Sequence, residues 1–110
     1  MQREDLEALI EQTHHPHPKQ RREAVLGLCP CHVRADVPEV WDRMFEMEAD
    51  PDAGVRSLVL HTLCDGSPAT RRDEVVAAVE RLQKDPDPRL RRRARRALAE
   101  FRRTGNINVM

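Results

Sequence analysis

The chain has 110 residues, one domain's worth at the usual span of roughly 100–200 residues, and its 19 basic and 19 acidic side chains cancel. Apolar residues make up 39% and aromatic residues 3%, namely Trp41, Phe45 and Phe101. No apolar run approaches the roughly 18 residues of a membrane span, and the opening Met-Gln-Arg-Glu-Asp lacks the apolar region of a secretory leader. A membrane protein, a small secreted disulfide scaffold and a fully disordered chain are excluded, and the expected location is the cytoplasm. Three Cys cannot all pair within one chain, so reduced thiols are expected there.

The charge balance hides a polarity. Residues 1–55 carry 12 acidic and 6 basic side chains, whereas residues 56–110 carry 7 and 13. Eight Arg and a single Glu fall between Pro88 and Arg103. Such a dipole can orient encounters with partners.

In chain order, a first helix is predicted over about Arg3 to Gln12, with Leu6, Leu9 and Ile10 on one side. Then a motif recurs every 35 residues: HPHPKQRREAVLGLC from His15 to Cys29, DPDAGVRSLVLHTLC from Asp50 to Cys64, and DPDPRLRRRARRALA from Asp85 to Ala99. Pro16, Pro51 and Pro86 coincide, as do Arg21, Arg56 and Arg91, and Leu28, Leu63 and Leu98. Each motif predicts a helix. His17, Asp52 and Asp87 stand just ahead of it, where a short polar side chain can accept from the first backbone N–H groups. Pro18 and Pro88 take the first helical position, where a missing N–H costs nothing.

Between the motifs lie partner helices. One begins after Pro38 and carries Val40, Trp41, Met44 and Phe45. Another runs from about Thr70 to Lys84 with Val75, Val76, Val79 and Leu82. Asp65-Gly66-Ser67-Pro68 reads as a helix stop followed by a restart. No segment alternates like a strand.

The pattern Asp-Pro-Asp-x-x-Val-Arg followed by Leu, Asp50 to Leu63, resembles a HEAT repeat of the short bacterial type, the phycobilisome-lyase-type HEAT-like repeat. The resemblance implies an all-α fold, a right-handed stack of antiparallel helical hairpins forming an α-solenoid. It implies a single domain over 1–110: an N-terminal capping helix in 1–14, repeat one in 15–49, repeat two in 50–84, a half repeat in 85–103 and a tail in 104–110. It also implies that Asp52, Arg56, Asp87 and Arg91 join successive repeats, whereas the first repeat has His17 in place of the Asp. Some proteins with similar repeats are bilin lyases; those are longer, and no residue here points to that activity.

Three groups of residues are candidates for chemistry. The Arg-rich helix places Arg92, Arg95, Arg96 and Arg103 outward when Ala94 and Leu98 face in. Guanidinium groups along one face suit carboxylates or phosphates. No aromatic residue is interleaved to stack on bases, and the isoelectric point near 7.0 is far from that of a dedicated nucleic-acid binder. Cys29, Cys31, His32 and Cys64 form a weak zinc candidate, because Cys-x-Cys is tighter than usual zinc spacing. A small residue packed between helices accounts for Cys29 and Cys64 as well. His14-His15-Pro16-His17-Pro18 reads as the turn ahead of the first repeat helix rather than as a metal site.

Serine-hydrolase, phosphate-loop, metalloprotease and dinucleotide motifs are all missing. The expected function is therefore a non-enzymatic protein-interaction or adaptor module that takes an acidic partner on the Arg-lined surface. A nucleic-acid binder is the alternative, and a zinc- or thiol-redox-associated protein the second. No cofactor is expected, zinc being the exception just described.

Overall fold

Punctuation in the sequence sets the helix boundaries. In the computed structural model, which describes residues 2–30 and 37–110, six α-helices follow one another. They are α1 (Arg3–Gln12), α2 (Pro18–Gly27), α3 (Pro38–Met47), α4 (Ala53–Leu63), α5 (Arg72–Leu82) and α6 (Pro88–Thr104). A single 3-10 turn, Ala69–Arg71, leads into α5, and the described residues contain no strand.

Pro occupies the first turn of α2, α3 and α6. Asp52 caps α4 by accepting from the Val55 N–H at 2.9 Å, and Asp87 caps α6 by accepting from Arg89 N–H at 2.8 Å. Two glycines end helices in the left-handed region: Gly66 at φ +88° after α4 and Gly105 at φ +76° after α6. There a Cβ would be strained.

The helices pair as antiparallel hairpins, α1 with α2, α3 with α4 and α5 with α6, while α2, α4 and α6 pack side by side as one layer. The 35-residue register counts two and a half units plus a leading helix; because α1 closes on α2, the stack in space is three hairpins. One core runs through it, from Leu6 through Val25, Leu28, Trp41, Met44, Val55, Leu60, Leu63, Val75 and Val79 to Leu90 and Leu98. The result is a slab of 39 × 28 × 17 Å.

Polar links join the outer layer of α1, α3 and α5. Arg43 of α3 donates to the Thr13 hydroxyl and carbonyl, and Arg71 and Arg81 reach Asp42 and Glu48.

The C-terminal segment is docked. Ile107 is buried. The Asn108 side-chain oxygen accepts from the Gly66 and Ser67 N–H groups and the Ser67 hydroxyl at 2.8–2.9 Å, and its amide donates to the Ser67 carbonyl. Val109, two residues after Ile107, is exposed.

His17 departs from the sequence reading: its side chain accepts no cap hydrogen bond. Its backbone N–H instead donates to His15 Nδ1 at 3.0 Å, as Asp52 N–H donates to Asp50 and Asp87 N–H to Asp85, each at 2.9 Å. An imidazole nitrogen thus replaces a carboxylate oxygen in the first of three equivalent turns.

Candidate functional site

The interfaces between hairpins define the ends of the stack, and one Arg per repeat shows how. Arg21 grips both carboxylate oxygens of Asp50 through Nε and Nη2, at 2.9 and 3.1 Å, and donates through Nη1 to the His15 and Pro16 carbonyls. Arg56 repeats this one unit later, with Asp85 at 2.8 and 3.0 Å and the Asp50 carbonyl. Both pairs are largely buried, with side-chain exposures of 12% and 8% for Arg21–Asp50 and 13% and 5% for Arg56–Asp85. A bidentate fork in such a site is oriented as well as strong.

The carboxylate taken by each ladder Arg is therefore the first Asp of Asp-Pro-Asp, not the second. Asp52 caps α4 and receives Arg22 at 2.9 Å, and Asp87 caps α6.

Arg91 is the third ladder Arg. Its Nη1 holds the Asp85 and Pro86 carbonyls at 2.8 and 3.0 Å, as its counterparts do in their own turns. No carboxylate among the described residues meets its Nε and Nη2. Arg92, which aligns with Arg22 at twice the 35-residue spacing, is exposed.

Burial pushes the Asp85 carboxyl up, but hydrogen bonds from Arg56 and the Asp87 N–H, with the charges of Arg56 and Arg91, outweigh it and hold it below the ordinary value of 3.8. In Asp52, burial is likewise outweighed by the Val55 N–H and Arg22. Carboxylates held low in the folded state stabilise it above their ordinary value and stop doing so as they protonate. Stability is thus expected to be level above about pH 5 and to fall progressively below it, as such linked carboxylates do. Urea midpoints measured against pH check this, and Asp85→Asn should flatten the acid limb.

Helix α6 carries the surface at the open end. Its buried face is Leu90, Ala94, Ala97 and Leu98. The four Arg singled out from the sequence, Arg92, Arg95, Arg96 and Arg103, are all exposed on the other side. Arg89 and Arg102 are exposed beside them; helical angle alone could have added both. Along the axis, Arg92 to Arg103 spans about 16 Å at 1.5 Å per residue. Arg103 shares its charge with Glu100 at 2.5 Å, a pair open to solvent and so of small energetic weight.

The thiols are arranged differently from the sequence expectation. Cys31 and His32 lie outside the described residues. Cys64 is fully buried, and burial pushes its thiol up to about 12 despite the nearby charge of Arg93. Cys29 lies instead beside His61 and Asp65.

The hairpin stack, its shared core and the repeated inter-hairpin joint define an α-solenoid, a helical-repeat scaffold. A family model for HEAT repeats matches residues 6–99, and the chain belongs to that family. HEAT repeats generally mediate protein–protein interaction and are typically non-catalytic scaffolds. Comparisons with curated proteins and with solved structures return no match. No helix among the described residues is long and apolar enough to cross a membrane.

Proposed function

We propose that this chain is a non-enzymatic adaptor that takes an acidic protein partner on the α6 end of the stack. The observation that carries the reading is the unfilled joint at Arg91. Arg21 and Arg56 each hold a carboxylate through Nε and Nη2, whereas among the described residues the hydrogen bonds of Arg91 go to carbonyls alone. A partner that presents two carboxylates spaced like Asp50 and Asp52 would complete it, meeting Arg91 and Arg92. Arg95, Arg96 and Arg103 extend the same charge outward along the helix. The lack of stacking aromatic residues and the neutral overall charge favour a protein over a nucleic acid.

The test is capture from native lysate by the intact chain and by the variant with Arg92, Arg95, Arg96 and Arg103 changed to Glu, half of each eluate being treated with nuclease. A protein lost only with the variant, whose purified acidic segment binds the intact chain, is the expected result. The variant should melt as the parent does, because these side chains leave the core untouched. Capture unchanged by the substitutions would overturn the proposal, and nuclease-sensitive capture whose strength falls steeply with salt would replace it with nucleic-acid binding.

A further inference from the structure

Two helices of successive hairpins end at the same place. Cys29 directly follows the last turn of α2, His61 lies in the last turn of α4, and Asp65 follows just beyond it. Cys29 Sγ stands 3.3 Å from Asp65 Oδ2, and His61 Nε2 stands 3.4 Å from that same oxygen. All three ligand atoms lie within 4.8 Å of one another.

From this juxtaposition we infer that Cys29, His61 and Asp65 form a binding site for a divalent transition ion of the zinc class. Zinc takes sulfur at about 2.3 Å, imidazole nitrogen at about 2.0–2.1 Å and carboxylate oxygen at about 2.0–2.2 Å. Tetrahedral angles then set neighbouring ligand atoms roughly 3.3–3.6 Å apart. The two measured separations are close to such edges, and the Cys29 Sγ to His61 Nε2 edge, within 4.8 Å, shortens toward the same range as the ion enters. One thiolate, one imidazole and one carboxylate is also a donor set that prefers zinc or cobalt(II) to magnesium or calcium.

The surrounding field agrees. The negative ends of the α2 and α4 dipoles both point here, which favours a cation. The His61 and Asp65 side chains are 42% and 32% exposed, leaving a route in and a fourth position for water. Binding transfers the Cys29 thiol proton to solvent and replaces its hydrogen bond to Asp65 with metal–sulfur and metal–oxygen bonds. Because Cys29 follows the end of α2 and the other two ligands lie at and just beyond the end of α4, the ion ties two successive hairpins together. The site is independent of the Arg face on α6.

The test is cobalt(II) titration of the chelator-treated, tag-free chain. The expected result is a thiolate-to-cobalt charge-transfer band with the visible bands of a tetrahedral ion, saturating at one equivalent and abolished by added zinc. Cys29→Ser should remove the charge-transfer band, and His61→Ala, a partly exposed position that leaves the core intact, should weaken cobalt binding at least tenfold. Cys64→Ser should change neither. Circular dichroism confirms that each variant is folded. Absence of a charge-transfer band in the parent would overturn the assignment, as would a band that survives Cys29→Ser but is lost with Cys31→Ser.

Discussion

Arg56→Ala should lower the free energy of unfolding by about 3–5 kcal/mol, the range for removing one partner of a buried ion pair, whereas Arg91→Ala should cost only about 1 kcal/mol. The two side chains occupy equivalent places in their repeats, yet Arg56 spans a joint and Arg91 does not. Without Arg56, the Asp85 side chain, 5% exposed, keeps the Asp87 N–H but loses both charged donors. Loss of Arg91 removes its bonds to the Asp85 and Pro86 carbonyls and its longer-range attraction to the Asp85 carboxylate, which keeps its Arg56 fork. Lys at position 56 should recover only part of the difference, since a point charge cannot form the fork. Urea unfolding of the three variants reads this directly, and equal losses for Arg56→Ala and Arg91→Ala would show that the joint is not what the side chain stabilises.

The second large effect is expected in the core. Leu28, Leu63 and Leu98 hold the same repeat position and are 1%, 0% and 2% exposed. Truncating a buried Leu to Ala costs about 2–5 kcal/mol, depending on how far the surroundings collapse into the space. Leu63 sits on α4, which packs against α2, α3, α5 and α6, so its neighbours are fixed on every side. Leu98 sits on α6, at the end of the stack, whose main helical neighbours among the described residues are α4 and α5. Leu63→Ala is therefore expected near the upper end of the range and Leu98→Ala near the lower, with unchanged denaturant slopes. The reverse order would mean that the last helix is held more tightly than the middle one.

The helices were legible because their boundaries are chemical: Pro18, Pro38 and Pro88 open three of them, Asp52 and Asp87 cap two, and Gly66 and Gly105 end two. The inward stripe of α6 was equally plain, and the exposed Arg residues followed from it. Contacts between repeats were harder to read, because a repeat alignment fixes equivalence but not lateral offset. It could not say that Arg56 takes Asp85 rather than Asp87, which lies only two residues on. Nor could it show that Cys29 faces the end of α4 through His61 and Asp65 while Cys64, its equivalent, is enclosed by the core. Asn108 was illegible for another reason: one side chain in a polar tail has no periodicity, and its bonds to Gly66 and Ser67 span 42 and 41 residues.

The ladder also makes residues 50–84 an interchangeable tile, with a carboxylate edge on one side and a guanidinium edge on the other. A duplicate of that tile placed after Lys84 would offer its own Asp50 to the original Arg56, and its own Arg56 to Asp85. At both new seams the fork between Arg and the first Asp would repeat one that the molecule already contains. Lengthening the protein by 35 residues therefore reuses the fork and leaves the packing of one α4 against the next, with Ser57 where Arg22 meets Asp52, as the contact to redesign. The Arg face of α6 would be carried one hairpin further from α1.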